Sequence, residues 1–278
     1  MMRMIVGLIL LLIQLPSSPA ERLRESTAAI AQGSSTAERR AAIVERLKLI
    51  SVDFRMEDFT SGNRTGTNIV ATIPSESKTR SLLLGAHYDR VARGQGAVDN
   101  AASCAVLLDL AASLKAKPPA NTTVTIVFFD LEEAGLLGSR AYFQAASVSD
   151  RPTFAMNFDI FGYGESLFVT PSMPDGPLIA ALQKAATEFG FPVRSFPMAK
   201  YPDSDHRSMA AAGIETLGVT LIDGAEIDSI ITPGPVRPRI LSMIHTNADR
   251  MDQVREQDIA KAVPVIERTI RIIDAIPH

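Results

Sequence analysis

Short, almost continuous apolar runs alternating with stretches of helical periodicity limit what this chain can fold into. Residues 68–73, 81–86, 124–129, 154–161, 167–170 and 214–222 read as strands. Several lack the polar alternation of a one-sided sheet, and Leu82-Leu83-Leu84-Gly85-Ala86 is apolar throughout. Between them, helices are expected over 37–50, where Ala42, Ile43, Leu47 and Ile50 share a face, and over 100–115, stopped by Pro118 and Pro119. Further helices are expected from Glu133 to Gln144, over 177–189, and over 255–276, where Pro264 should kink the chain. Strands alternating with helices imply a three-layer α/β/α fold with a central, twisted, largely parallel but mixed sheet. The stretch 223–239, with Pro233, Pro235 and Pro238, reads as a loop near the cleft.

No linker or internal repeat divides the chain, so one domain is expected over 21–278. Residues 1–20 differ from the rest. Arg3, an apolar core over 5–15 and Ser18-Pro19-Ala20 form the pattern of a signal peptide, and the apolar run is too short for a spanning helix. Export to the periplasm or the extracellular space is therefore expected, with no membrane anchor after cleavage. Cys104 is the single cysteine, in an apolar helical stretch, so the domain makes no internal disulfide. A net charge of -3 and the absence of a basic run argue against a nucleic-acid partner.

Polar residues cluster just past the strand ends, where open α/β sheets place their sites. His87 follows the 81–86 run, and Asp89 is spaced to take its second imidazole N–H. Asp99 and Asn100 open a helix, as a cap or as a metal ligand. Asp130, Glu132 and Glu133 follow the 124–129 run, three acids within four residues that would repel one another without a cation. Asp159 follows the 154–158 run, and His245 sits in Ile244-His245-Thr246-Asn247-Ala248-Asp249. Two imidazoles, His87 and His245, with three carboxylates, Asp99, Glu133 and Asp159, form a natural donor set for two zinc ions. Two dications against three carboxylates and a hydroxide come close to neutrality, as a partly buried centre needs. Glu132 is then left unligated, as a general base must be.

The ordered segments GAHYD, AVDN, FFDLEEAGLLGSRAYF, MNFDIFGYG, DSDH and IHTNAD resemble the co-catalytic zinc aminopeptidases of the bacterial leucyl-aminopeptidase type, relatives of glutamate carboxypeptidase and glutaminyl cyclase. The resemblance implies that His87 and Asp159 hold one zinc and Glu133 and His245 the other, with Asp99 bridging them and a cis Asp99–Asn100 peptide. It further implies that Glu132 takes the proton of the attacking water, that Asp89 orients His87, and that Tyr201, upstream of Ser204-Asp205-His206, polarises the scissile carbonyl. His206 is expected to support its loop. The chain departs from its relatives in lacking a disulfide beside Tyr201, in carrying Ile244 before the last histidine, and in having no room for an inserted protease-associated domain.

The expected activity is removal of amino-terminal residues from peptides with a free N-terminus. Glutaminyl cyclase is the nearest alternative, although the tryptophans such enzymes place around their substrate are missing: the chain has Trp 0. A carboxypeptidase or dipeptidase would need a cation for the substrate carboxylate, and Lys200 and Arg207 lie near the right loop. A non-catalytic binding protein would usually have lost a ligand or the base, and none is missing here.

Overall fold

A computed structural model of the chain describes residues 18–277 apart from 78, 233 and 236. Residues 1–17 of the expected leader lie outside the described residues. Ser18 caps the first helix, α1 (Pro19–Ala31), in a reciprocal box with Glu21, and Ala20 is buried. A leader ending at Ala20 would take this helix start with it. Ser35 and Glu38 repeat the box at the start of α2 (Thr36–Leu49).

The sheet has eight strands among the described residues: β1 (Phe54–Ser61), β2 (Arg64–Ile73), β3 (Arg80–His87), β4 (Thr122–Phe129), β5 (Phe154–Phe161), β6 (Ser166–Pro171), β7 (Val193–Ser195) and β8 (Glu215–Ile222). They lie in the order β1-β2-β4-β3-β5-β8-β6-β7. The middle four, β4, β3, β5 and β8, are parallel; β1–β2, β2–β4 and β8–β6 are antiparallel, and β7 runs parallel to β6 at the far edge. The apolar runs are thus the strands covered on both faces, as parallel strands require.

Side-chain alternation along β3 divides the core. Leu82, Leu84 and Ala86 join the larger apolar cluster with α1, α3 (Ala102–Ala116), α5 (Pro177–Phe189) and α9 (Glu256–Asp274). Leu83 faces the smaller cluster of Val70, Phe129, Phe143 and Met209, beneath α4 (Leu137–Ala145) and α6 (His206–Ala211). Gly85 falls on the Leu83 face, where no side chain fits: a Cβ there would stand 2.7 Å from both the Phe129 ring and Met209 Cε.

Several expectations need correction. β1 escapes the sequence reading because its residues are mostly half-exposed or exposed and carry no apolar run. α1 lies in a stretch that looks merely polar and Ala-rich. The helix expected from Glu133 begins at Leu137, because Gly135 (φ 108°) and Leu136 (φ 61°) take left-handed turns first. The expected loop after Asp223 contains α7 (Gly224–Ile231) and leads into α8 (Arg239–Met243). Pro264 lies inside α9, where the sequence places it.

Candidate metal centre and active site

The carboxyl ends of β3, β4 and β5 converge with two loops. His87 ends β3, Glu132 and Glu133 stand in the turn after β4, and Asp159 lies near the end of β5. Asp99 sits in an irregular turn before α3, with non-helical backbone at Asp99 and Asn100 and a cis peptide between them. His245 comes from the loop after α8 and has φ 59°. Leu131 and Ile160, beside Glu132 and Asp159, also have positive φ. For Ile160 this is a costly conformation, since a β-branched side chain crowds the left-handed region.

The two oxygens of Asp99 face two different imidazoles: Oδ1 lies 3.2 Å from His87 Nε2, and Oδ2 lies 3.1 Å from His245 Nε2. Asp159 Oδ1 is 3.5 Å from the same His87 nitrogen, and Glu133 Oε2 is 3.2 Å from the same His245 nitrogen. Two donor triads share the Asp99 carboxylate, His87–Asp99–Asp159 and Asp99–Glu133–His245, and His87, Glu132 and Glu133 form a third group of the same closeness. Glu132 stands 4.0 Å from His87 Nε2. Asp89 Oδ1 lies 3.4 Å from the other ring nitrogen, Nδ1, while its carboxylate accepts the Glu132 and Glu133 amide N–H groups at 3.0 and 3.2 Å. One carboxylate therefore ties the His87 ring to the turn that carries both glutamates.

A cation fits this donor set. Glu133 Oε1 and Asp159 Oδ1 are buried with no hydrogen-bond partner, an expensive state unless something positive meets them. Burial pushes the Glu132 carboxyl up to about 9; His87 opposes the shift, and Asp159, Asp205 and Asp99 reinforce it. Burial, with Asp99 next, pushes Glu133 up to about 7. Burial alone would depress His87, but Glu132, Asp159, Asp89 and Asp99 hold it well above its ordinary value. The hydrogen bond to Asp99 is the main cause that raises His245 to about 9. Dications bound among these groups would displace protons from them.

Other residues hold this geometry, and the sequence reading assigned them no part in it. Asp249 is buried, and its carboxylate accepts from the Ala97, Val98 and Asp99 amides at 2.9, 2.8 and 3.2 Å, joining the His245 loop to the bridging carboxylate. Gly94 (φ 72°) lets those loops meet, since a Cβ would stand 2.4 Å from the Thr246 carbonyl oxygen. Asn100 donates to the Phe158 carbonyl at 3.0 Å and accepts the Ile160 amide at 3.2 Å, bracketing Asp159. Arg39 of α2 is wholly buried and donates to the carbonyls of Tyr88, Gln95 and Gly96, at both ends of the loop from His87 to Asp99. Asp130, grouped by the sequence with Glu132 and Glu133, turns away instead: it accepts from the Thr67 amide and the Tyr88 hydroxyl.

Tyr201 stands beside Asp159. Its hydroxyl is buried, bonded to Thr220 Oγ1 and 3.3 Å from the Phe168 carbonyl, and Thr220 in turn donates to the Asp159 carbonyl at 2.7 Å. It thus reaches Asp159 through Thr220, while its ring helps wall an apolar cavity beside Asp159 with Ile160, Phe168, Ile222, Ile240 and Leu241. His206 packs edge-on against that ring and is held down to about 4 by burial. Arg207 is committed: it lies 2.7 Å from Asp203 and donates to the carbonyls of Met198 and Tyr201. Cys104 is buried, its thiol against the His87 carbonyl.

A parallel-centred sheet that gathers histidines and carboxylates at its carboxyl edge defines the class, an α/β protein built around a metal-binding donor set. The chain belongs to peptidase family M28, whose model matches residues 68–270. Aminopeptidase YwaD of Bacillus subtilis is 25% identical over 225 residues, covering 78% of this chain and 46% of that protein. The solved structure of BSAP, a zinc aminopeptidase from Bacillus subtilis, matches with a TM-score of 0.63 at 25% identity, over 75% of this chain and 50% of that one. A Porphyromonas gingivalis glutaminyl cyclase shares the fold, with a TM-score of 0.73 at 19% identity over 92% and 97% of the two chains. The chain spans about half or less of the length of the curated relatives it matches.

Proposed function

We propose that this chain is an exported aminopeptidase that holds two zinc ions and removes the first residue of peptides with a free amino terminus. The observation that carries the reading is Asp99, whose two oxygens face His87 and His245, each with a second carboxylate beside it. His87 and Asp159 would hold one ion, Glu133 and His245 the other, and Asp99 both. Bound there, the ions supply Lewis-acid polarisation of the peptide carbonyl and of the attacking water.

The chain's own residues do the rest. Glu132 is half-buried; with the ions held by the two triads that share Asp99, its carboxylate would be left to accept the water's proton and return it to the leaving nitrogen. Asp89 fixes the His87 ring and the Glu132–Glu133 turn. In the role of oxyanion donor, Tyr201 would have to turn its hydroxyl from Thr220 toward the substrate; burial keeps that phenol neutral, as a donor requires. The apolar cavity beside Asp159, ≈ 30 Å³, would have to widen to admit an apolar amino-terminal side chain.

Recognition of the amine rather than a carboxylate is supported by Arg207, the cation a substrate carboxylate would need, being occupied by Asp203 and two carbonyls. Glu132→Gln tests the assignment of the base: metal content should stay at the wild-type value while turnover falls by about 10³ or more. Wild-type turnover in that variant would remove Glu132 from the role. Cyclisation of an amino-terminal glutamine, without hydrolysis of any peptide, would instead favour the cyclase reading.

A further inference from the structure

Between α4 and α6 lies a second cavity, of ≈ 380 Å³, lined by three arginines, Arg140, Arg151 and Arg207, and by no carboxylate. Its wall is apolar, formed by Leu136, Phe143 and Ala212 among others. The three guanidinium groups are in different states. Arg207 donates through Nη2 to the Met198 and Tyr201 carbonyls and pairs with Asp203, although its Nε is buried without an aligned hydrogen-bond acceptor. Arg151 spends Nη1 on the Ala212 carbonyl at 2.7 Å, and its Nε is buried with no partner. Arg140, on the exposed side of α4, has no side-chain hydrogen bond or ion pair among the described residues.

A buried N–H without an acceptor is uncommon in folded proteins and costs free energy unless a ligand or water meets it. Guanidinium forks are matched in shape and charge to carboxylate and phosphate oxygens. With a second free fork on the same cavity and a phenyl ring in its wall, the missing partner is an anion carried on an apolar body. We infer that the Arg140–Arg151 cavity is a binding site for a small organic anion, a carboxylate or phosphate attached to an apolar group.

Such an occupant would join α4, which follows the Glu132–Glu133 turn, to α6, which follows the Tyr201 loop. The site is separate from the metal donors, and the inference does not depend on the peptidase reading.

Phenyl phosphate, benzoate, inorganic phosphate and uncharged benzyl alcohol serve as probes, titrated calorimetrically into the zinc-loaded full chain. Saturable binding of phenyl phosphate or benzoate is expected, at least tenfold tighter than benzyl alcohol and tighter than inorganic phosphate. Which of the two binds better identifies the anionic group. Arg140→Ala and Arg151→Ala should each weaken it about tenfold, and Arg140→Lys less. Arg140 has no partner to lose, so its alanine variant should keep the wild-type Tm. An anion that bound only the zinc ions would be indifferent to both substitutions, and that result would overturn the inference. So would the absence of saturable binding by either organic anion, whatever the peptidase assays show.

Discussion

Asp249→Asn probes how the two halves of the metal centre are joined. The wild-type carboxylate accepts three amide N–H groups, two on Oδ1 and one, from Asp99, on Oδ2. Asparagine keeps one oxygen for Ala97 and Val98 but sets an NH₂ group against the Asp99 N–H. A charge-assisted bond of roughly 1.5–3 kcal/mol is lost at the residue that spans the two histidines. In the metal-free protein an opposing effect offsets much of this: burial, with the Asp99 charge adding to it, pushes the Asp249 carboxyl up to about 6, so removing its charge relieves a cost. The metal-free Tm should therefore move little. With metal bound the loss should appear, because supporting partners of this kind typically change metal affinity about 10- to 100-fold. A tenfold loss at each of two sites removes about 2.7 kcal/mol of metal-conferred stability, or roughly 5–11 °C in Tm for a domain of this size. Zinc titration and calorimetry of both forms, at pH 8, make the measurement. Wild-type zinc affinity in the variant, with an unchanged zinc-loaded Tm, would refute the reasoning.

Other outcomes follow from the same geometry. Metal-free protein should lose stability as pH rises from about 5 to 9, because Glu132 and Glu133 are raised to about 9 and 7, so the native state holds more protons than the unfolded chain across that window. Zinc should abolish that decline, and a metal-free Tm that rose over the same range would contradict the electrostatics. His206, held down to about 4, contributes stability above its ordinary pKa that is lost as pH falls through 4, so His206→Gln should flatten the acid limb of the Tm profile. Leu241→Asp, in the cavity beside Asp159, should cut kcat/KM for a leucyl substrate by about 10- to 100-fold and raise the relative rate for a lysyl one. An unchanged preference would place the side-chain pocket elsewhere.

The sequence made the donor residues visible because each carries a local signal: an acid or histidine directly after a run that must be buried. That rule holds for His87, Glu133 and Asp159, and the order of the motifs supplies Asp99 and His245. The supporting residues give no such signal. Asp249 acts on amides about 150 positions away in the chain, and Arg39 on carbonyls 49 to 57 positions away, so only the folded chain brings them together. Asp130 shows the limit of reading acids by proximity: it follows β4 directly, yet its carboxylate meets the Tyr88 hydroxyl and the Thr67 amide of β2 rather than the centre. Tyr201 shows a similar limit: its spacing located the loop, while packing against Phe168 and His206 decided where the hydroxyl went. In the fold, the doubly covered strands were legible from their composition. The outer strand β1 was not, because its pairing with β2 satisfies the backbone whatever its half-exposed side chains are.

The central claim, a two-metal site that reads a free amino terminus, is tested most directly by counting zinc in the purified chain while assaying paired substrates. Free and N-acetylated aminoacyl anilides differ only in the group the site is said to recognise. The account predicts about two zinc ions per chain, hydrolysis of the free-amine member of each pair, and loss of that activity on chelation. Hydrolysis of the acetylated members at comparable rates, or full activity with the metal removed, would contradict it.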